Sequence, residues 1–174
     1  MIRNISLLAL ALMAAPAFAQ DVVADAEATV TPDLAAIAAA DPMLDVRMNA
    51  MGEVDAMVML SDVLFEFNDA TLQDGATDAL RSVAESLRGV EMIAIKGHTD
   101  AKGGEDFNLD LGQRRADAVR DWLVANTDLT ADGVRAIGVG EVDPIAANFN
   151  EDGSDNPDGR ALNRRVEFSL EKLR

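Results

Sequence analysis

Apolar side chains change their spacing several times along this chain, and each change marks an element. Met57-Val58-Met59-Leu60 and Val63-Leu64-Phe65-Glu66-Phe67 are β-prone runs followed by the turn signal Asn68-Asp69. They predict a first strand, bent at Ser61-Asp62. Leu72, Ala76, Ala79, Leu80, Val83, Ala84 and Leu87 then recur at steps of three and four, which predicts an amphipathic helix with Gly89 at its C-terminal cap. Met92-Ile93-Ala94-Ile95-Lys96 predicts a short strand ending at Gly97, with Gly103-Gly104 closing the loop behind it. A second helix follows, its buried face drawn from Leu111, Ala118, Val119, Trp122 and Leu123, and it stops before Asn126-Thr127-Asp128. Arg135-Ala136-Ile137-Gly138-Val139 predicts a third strand and residues 165–170 a fourth, with Val166, Phe168 and Leu170 facing inward. The order β-α-β-α-β-β implies an α/β sandwich in which both helices pack on one face of a mixed sheet. A membrane barrel would need many strands of ~9–11 residues each, and the segment before Met57 is too short to supply them.

Upstream of Met57 the pattern differs. Residues 1–19 have a positive start at Arg3, an apolar run over residues 5–15 and a small-x-small site at Ala17-Phe18-Ala19, so they read as a signal peptide cleaved before Gln20. The uncharged stretch is shorter than the ~20 residues of a spanning helix and is broken by Pro16. Residues 20–56 are rich in Ala, Asp, Glu and Met, contain one basic residue, Arg47, and read as an acidic linker. Within them Thr31-Pro32-Asp33 caps a short helix over residues 34–40. Met43, Met48, Met51 and Met57 fit packing on their own domain better than a partner-binding stripe. Residues 57–174 form the single domain.

Charge narrows the function. Fifteen basic and 31 acidic side chains leave a formal net charge of −16, which opposes adhesion to nucleic acid, anionic lipid or any anionic polymer through a diffuse surface. Recognition of such a polymer has to be local. Absence of cysteine removes thiolate chemistry, disulfides and attachment of lipid to a cysteine.

Four ordered blocks carry the specific signal: Gly97-His98-Thr99-Asp100-Ala101-Lys102-Gly103 with Asn108, then Arg114-Arg115-Ala116-Asp117-Ala118-Val119, then Gly138-x-Gly140 with Pro144, then Asn163-Arg164-Arg165-Val166. Over about residues 57–170 this pattern resembles the OmpA-like (OmpA C-terminal or Pal-type) peptidoglycan-binding domain family. The resemblance implies non-covalent binding of Gram-negative peptidoglycan through the diaminopimelate of its stem peptide. It departs at Gly112, where the family usually has serine, which is expected to loosen the helix start, and in the long acidic loop of residues 150–159.

The residues admit a zwitterion site without the family, although an isolated Asp ahead of a helix reads more readily as a cap or as a loop residue bonding its own backbone, and it is the four-block resemblance that favours the site. Asp100 follows a strand end, where a fixed carboxylate accepts hydrogen bonds from an ammonium group, and Arg115 on the next helix offers a planar fork for a carboxylate. Arg114 points about 100° away and is expected in solvent. The resemblance makes Asp100 and Arg115 the anchors of diaminopimelate, with Thr99, Asn108 and Arg164 as neighbours. Arg165 should face solvent or the acidic loop, because successive strand residues alternate. His98, the only histidine, is expected to be structural, its ring bonded to neighbouring backbone. No nucleophile-base pair or metal-binding arrangement accompanies it, and the loop carboxylates lack calcium-loop spacing, so no enzyme, cofactor or metal is expected. The alternatives are a scaffold whose residues 20–56 dock another envelope protein and a wall-trimming enzyme. The expected location is the periplasm at the cell wall, reaching the outer membrane through a partner.

Overall fold

β1 (Asp45–Met48) opens the architecture as an edge strand, paired antiparallel with β2 (Val54–Leu60) in register Asp45 to Val58 and Arg47 to Ala56. The computed structural model describes residues 36, 39, 43–52 and 54–170 of the 174. The signal segment over residues 1–19 and most of the helix expected over residues 34–40 lie outside the described residues. After β2 come α1 (Ser61–Leu64), α2 (Ala76–Ser86), β3 (Ile93–His98), α3 (Glu105–Asn126), β4 (Val134–Gly140), α4 (Pro157–Asn163) and β5 (Arg165–Leu170). The sheet order is β1-β2-β5-β3-β4, with β3 and β4 parallel and the other neighbours antiparallel.

Alternation along the strands sorts side chains onto two faces. Met57 and Met59 of β2, Val166 and Phe168 of β5, and Ile93 and Ile95 of β3 form one buried cluster with Leu80 and Val83 of α2 and Val119 and Leu123 of α3. This is the mixed sheet with helices anticipated from the sequence. Burying each large aliphatic side chain in such a core stabilises the fold by about 1.5–3 kcal/mol.

Three local expectations change. β1 lies inside the stretch whose composition reads as linker, and Leu44 before it is buried in the core cluster. The strand expected over residues 63–67 is instead the helical turn α1, followed by a lone bridge from Phe65 to Leu72. Leu64 and Phe65 are adjacent and both buried, which an extended strand facing one core does not permit. The segment ahead of β5 folds into α4, capped by Asn156, whose side chain accepts a hydrogen bond from the Gly159 amide.

The sheet face away from the core is charged. Arg165 is fully buried rather than in solvent, and its Nε donates to Glu167 Oε1 at 2.8 Å while Nη2 donates to the Asp143 carbonyl at 3.0 Å. From β1, Arg47 brings Nη1 to 3.0 Å from Glu167 Oε2 and forks onto Asp55 at 3.1 and 3.2 Å. His98 Nε2 lies 3.6 Å from the same Glu167 oxygen, and neither ring nitrogen bonds the backbone, contrary to expectation. Burial pushes the imidazole pKa down, partly opposed by Glu167. Burial also pulls the Glu167 carboxyl upward, but the His98 ring and the Arg165 guanidinium outweigh it and hold the group at about 2.

Two outcomes follow from this arrangement. Arg47→Met leaves Glu167 with Arg165 as its remaining guanidinium, so urea unfolding should show a loss of about 1–3 kcal/mol, below the full cost of breaking a buried pair. A Glu167 carboxyl held at about 2 against its ordinary 4.5 contributes stability that is present above pH 4.5 and is lost as pH falls toward 2. Glu167→Gln should therefore be less stable at neutral pH and lose less across that window in thermal melts.

Candidate functional site

The loop between β3 and α3 begins where the sheet ends. Thr99 N–H donates to the Gly140 carbonyl at 2.9 Å, which ties the loop to the end of β4. Asp100 Oδ1 accepts from the Lys102 amide at 2.9 Å, folding the loop back on itself, and Ala101 N–H donates to Asn148 Oδ1 at 3.3 Å. The Asp100 side chain is 6% exposed. A carboxylate so desolvated needs compensation. It comes from Arg164 Nη1 at 2.9 Å and Arg160 Nη1 at 3.1 Å, both on Oδ2.

Each of these arginines is held by a second carboxylate. Arg160 forks onto Asp155 with two contacts of 2.7 Å, and Arg164 forks onto Asp62 at 2.7 and 3.2 Å. Arg115 on α3 is buried, donates Nε to the Asp69 carbonyl at 2.9 Å and stacks over the Phe65 ring, 5.2 Å from its centroid. Burial lowers its pKa, with Asp62 and Asp100 opposing and Arg164 adding to the shift. Three carboxylates and three guanidiniums, with the Lys102 ammonium 3.8 Å from Asp155, thus share one end of the domain, a mixed-charge set that suits a ligand carrying both signs.

Of the residues singled out in the sequence, Asp100 and Arg164 meet directly, Arg115 lies within their electrostatic reach, and Thr99 is their neighbour along the chain. Thr99 Oγ1 is buried and has no hydrogen-bond partner among the described residues. Asn108 stands apart: its amide donates to Glu141 and its side chain packs on Gly103, so it braces the loop rather than the charged set. Arg114 is half exposed on a pair with Asp110. Arg160, Asp155 and Asp62 were not singled out. Arg160 could have been found only by recognising α4, which sets Arg160 and Arg164 four residues apart. Asp155 belongs to the acidic loop, which the structure ties to the site through Arg160 and Lys102.

Gly112 corrects a further expectation. It does not loosen the start of α3; the helix runs unbroken from Glu105 to Asn126 and meets β3 backbone to backbone there. A Cβ on Gly112 would lie 2.5 Å from the Gly97 carbonyl oxygen, and one on Gly97 would lie 2.0 Å from the Gly112 carbonyl oxygen. Asp100 and Arg115 each follow this contact by three residues, so it fixes the distance between their two walls.

The OmpA family model matches residues 64–156. The chain is 34% identical over 130 residues to the "Probable lipoprotein YiaD" of Escherichia coli (strain K12), covering 74% of this chain and 56% of that protein. It is 36% identical over 108 residues to the peptidoglycan-binding protein ArfA of Mycobacterium tuberculosis (strain H37Rv), covering 61% of this chain and 31% of that protein. The structure of the cell wall anchor of the T6SS from Pseudomonas aeruginosa superimposes with a TM-score of 0.64 at 31% identity, covering 82% of this chain and 99% of that one. The chain spans about half or less of the length of the curated relatives it matches.

The helix-sheet contact yields a stability test. Gly112→Ala must push α3 off β3 against backbone on both sides, with an expected cost of about 1–3 kcal/mol in denaturant unfolding. Gly104→Ala, at a position where an added Cβ meets nothing within 4 Å, should cost much less.

Proposed function

The chain belongs to the OmpA family, and from that membership we propose that it binds peptidoglycan non-covalently through the free amino-acid end of diaminopimelate. Asp100 and Arg115 are the anchors in this reading, with Thr99 and Arg164 beside them and Asn108 bracing the loop. The carrying observation is the mixed-charge set around a nearly buried Asp100. Ionised carboxylate offers about four acceptor positions, and the Lys102 amide, Arg160 and Arg164 occupy three. The remaining position, on Oδ1, suits the ligand ammonium. The terminal amino groups of Arg115 make no hydrogen bond to the protein among the described residues, and they suit the ligand carboxylate. Thr99 Oγ1 would gain the partner it lacks.

A local zwitterion grip also fits a protein at −16, which has no diffuse basic surface with which to adhere to an anionic wall. His98 argues for binding rather than wall-trimming chemistry. The ring is buried against Glu167 on the sheet face away from the helices and lies outside the charged set, so it does not serve as a base there. Cleavage before Gln20 would deliver the domain to the periplasm, where the wall is reached. The intact mass of the exported protein tests this, and retention of Met1 would overturn it.

Sacculus pull-down with and without added meso-diaminopimelic acid tests the site. Asp100→Ala or Arg115→Ala removes one partner of a desolvated ionic contact, so binding should weaken by at least ~30-fold. Arg115→Lys keeps the charge but loses the fork and should also bind poorly, whereas Arg114→Ala should lose little. Parent-like binding by both Arg115→Lys and Asp100→Asn would exclude the zwitterion grip, and muropeptide release by the parent would exclude a purely binding role.

A further inference from the structure

We infer that Asp62 is an internal competitor for the pocket, its carboxylate holding the Arg164 fork that a ligand carboxylate takes over on binding. The inference rests on the diaminopimelate reading and adds a residue that sets its affinity and selectivity. Arg164 uses its guanidinium in two directions. Nη1 reaches the buried Asp100 at 2.9 Å, while Nε and Nη2 grip Asp62 at 3.2 and 2.7 Å in the paired geometry a free carboxylate would adopt.

The two grips differ in how firmly they are held. Asp62 has a side chain 54% exposed, against 6% for Asp100, so the outer pair is solvated and screened while the inner one is not. Exchanging Asp62 for another carboxylate therefore costs little, and the Asp100 contact keeps the guanidinium aimed as it happens. Asp62 sits on the four-residue turn α1 rather than on a sheet strand, so its side chain can leave Arg164 without breaking a ladder. It is also the foremost opposite charge acting on buried Arg115, which means the carboxylate lies under the influence of both guanidiniums. A ligand carboxylate bridging Arg164 and Arg115 would meet the same two groups.

A selectivity rule follows for the ligand class. A carboxylate can replace Asp62 on the fork because it accepts two parallel N–H bonds. A carboxamide offers one acceptor and presents its own donors to a guanidinium, so the pocket should reject ligands amidated at that position while Asp62 remains in place.

Titration calorimetry of the mature protein with meso-diaminopimelic acid tests the inference. Asp62→Asn and Asp62→Ser should each tighten binding by about two- to five-fold, the range an exposed ion pair can withhold, with thermal melts run alongside to show that both variants are folded. In an Arg164→Gln background the same changes should produce no gain. Unchanged or weaker binding by both variants would overturn the inference and make Asp62 a positioning residue for Arg164. A gain that persists without Arg164 would also overturn it, since the effect would then come from Arg115 or from net charge and not from the Arg164 fork. Failure of the parent to bind meso-diaminopimelic acid would refute the ligand reading and the inference together, whereas a binding parent with no gain in the variants refutes the inference alone.

Discussion

A carboxylate removed from water has to be neutralised by groups that arrive from elsewhere in the fold, and the requirement at Asp100 organises this domain. Its two guanidiniums come from Arg160 and Arg164, sixty and more residues downstream. Delivering them there requires α4, and α4 requires its own anchoring. Asn163 supplies part of it by accepting from the amides of Ile145 and Ala146 and donating to Asn148, which in turn receives the Ala101 amide beside Asp100. The polar loop after β4 is therefore stitched to the loop that carries Asp100 through Asn148.

A second constraint is steric. α3 approaches β3 and β4 so closely that Gly97, Gly112 and Gly138 have no room for a side chain, since a Cβ at each would meet backbone at 2.7 Å or less. Close approach leaves little freedom for the helix to slide or rotate, so Arg115 reaches Asp69 and Phe65 on one side while Asp100 stays on the other. Charge matching and backbone contact thus reinforce one another: the first selects which groups gather, and the second fixes how far apart their carriers stand.

Much of this was legible in the sequence, unevenly. β3, α3, β4 and β5 declared themselves by their apolar runs, and Asp100 and Arg115 stood out through the family pattern that carries them, since an Asp ahead of a helix reads by itself as a cap or a turn. Elements whose reason for forming lies elsewhere were hidden. β1 is only four residues long, too short for its pattern to show, and is held by pairing with β2 and by Arg47 reaching Glu167. α1 looks like strand because its residues are β-prone, yet two adjacent side chains both enter the core. Arg165 looked solvent-facing because nothing in the local sequence reveals that the loop carrying Asp143 covers that side of the sheet. Arg160 was missed for the same reason: its function depends on a turn of helix whose cap, Asn156, sits in a stretch rich in loop-forming residues.

The position of β1 bears on how force would travel through the molecule. A pull transmitted along the chain from upstream meets Leu44, seated in the core, and then an edge strand of four residues, an attachment that could be peeled away bond by bond. Arg47 changes that mechanical picture, because its guanidinium crosses beneath β2 to a carboxylate on β5, the middle strand of five. Load entering at the edge is shared with the centre of the sheet, and β5 begins one residue after Arg164. The strand that takes up the strain is therefore contiguous with an arginine of the charged set, so tension entering at the edge would be carried to the base of that set.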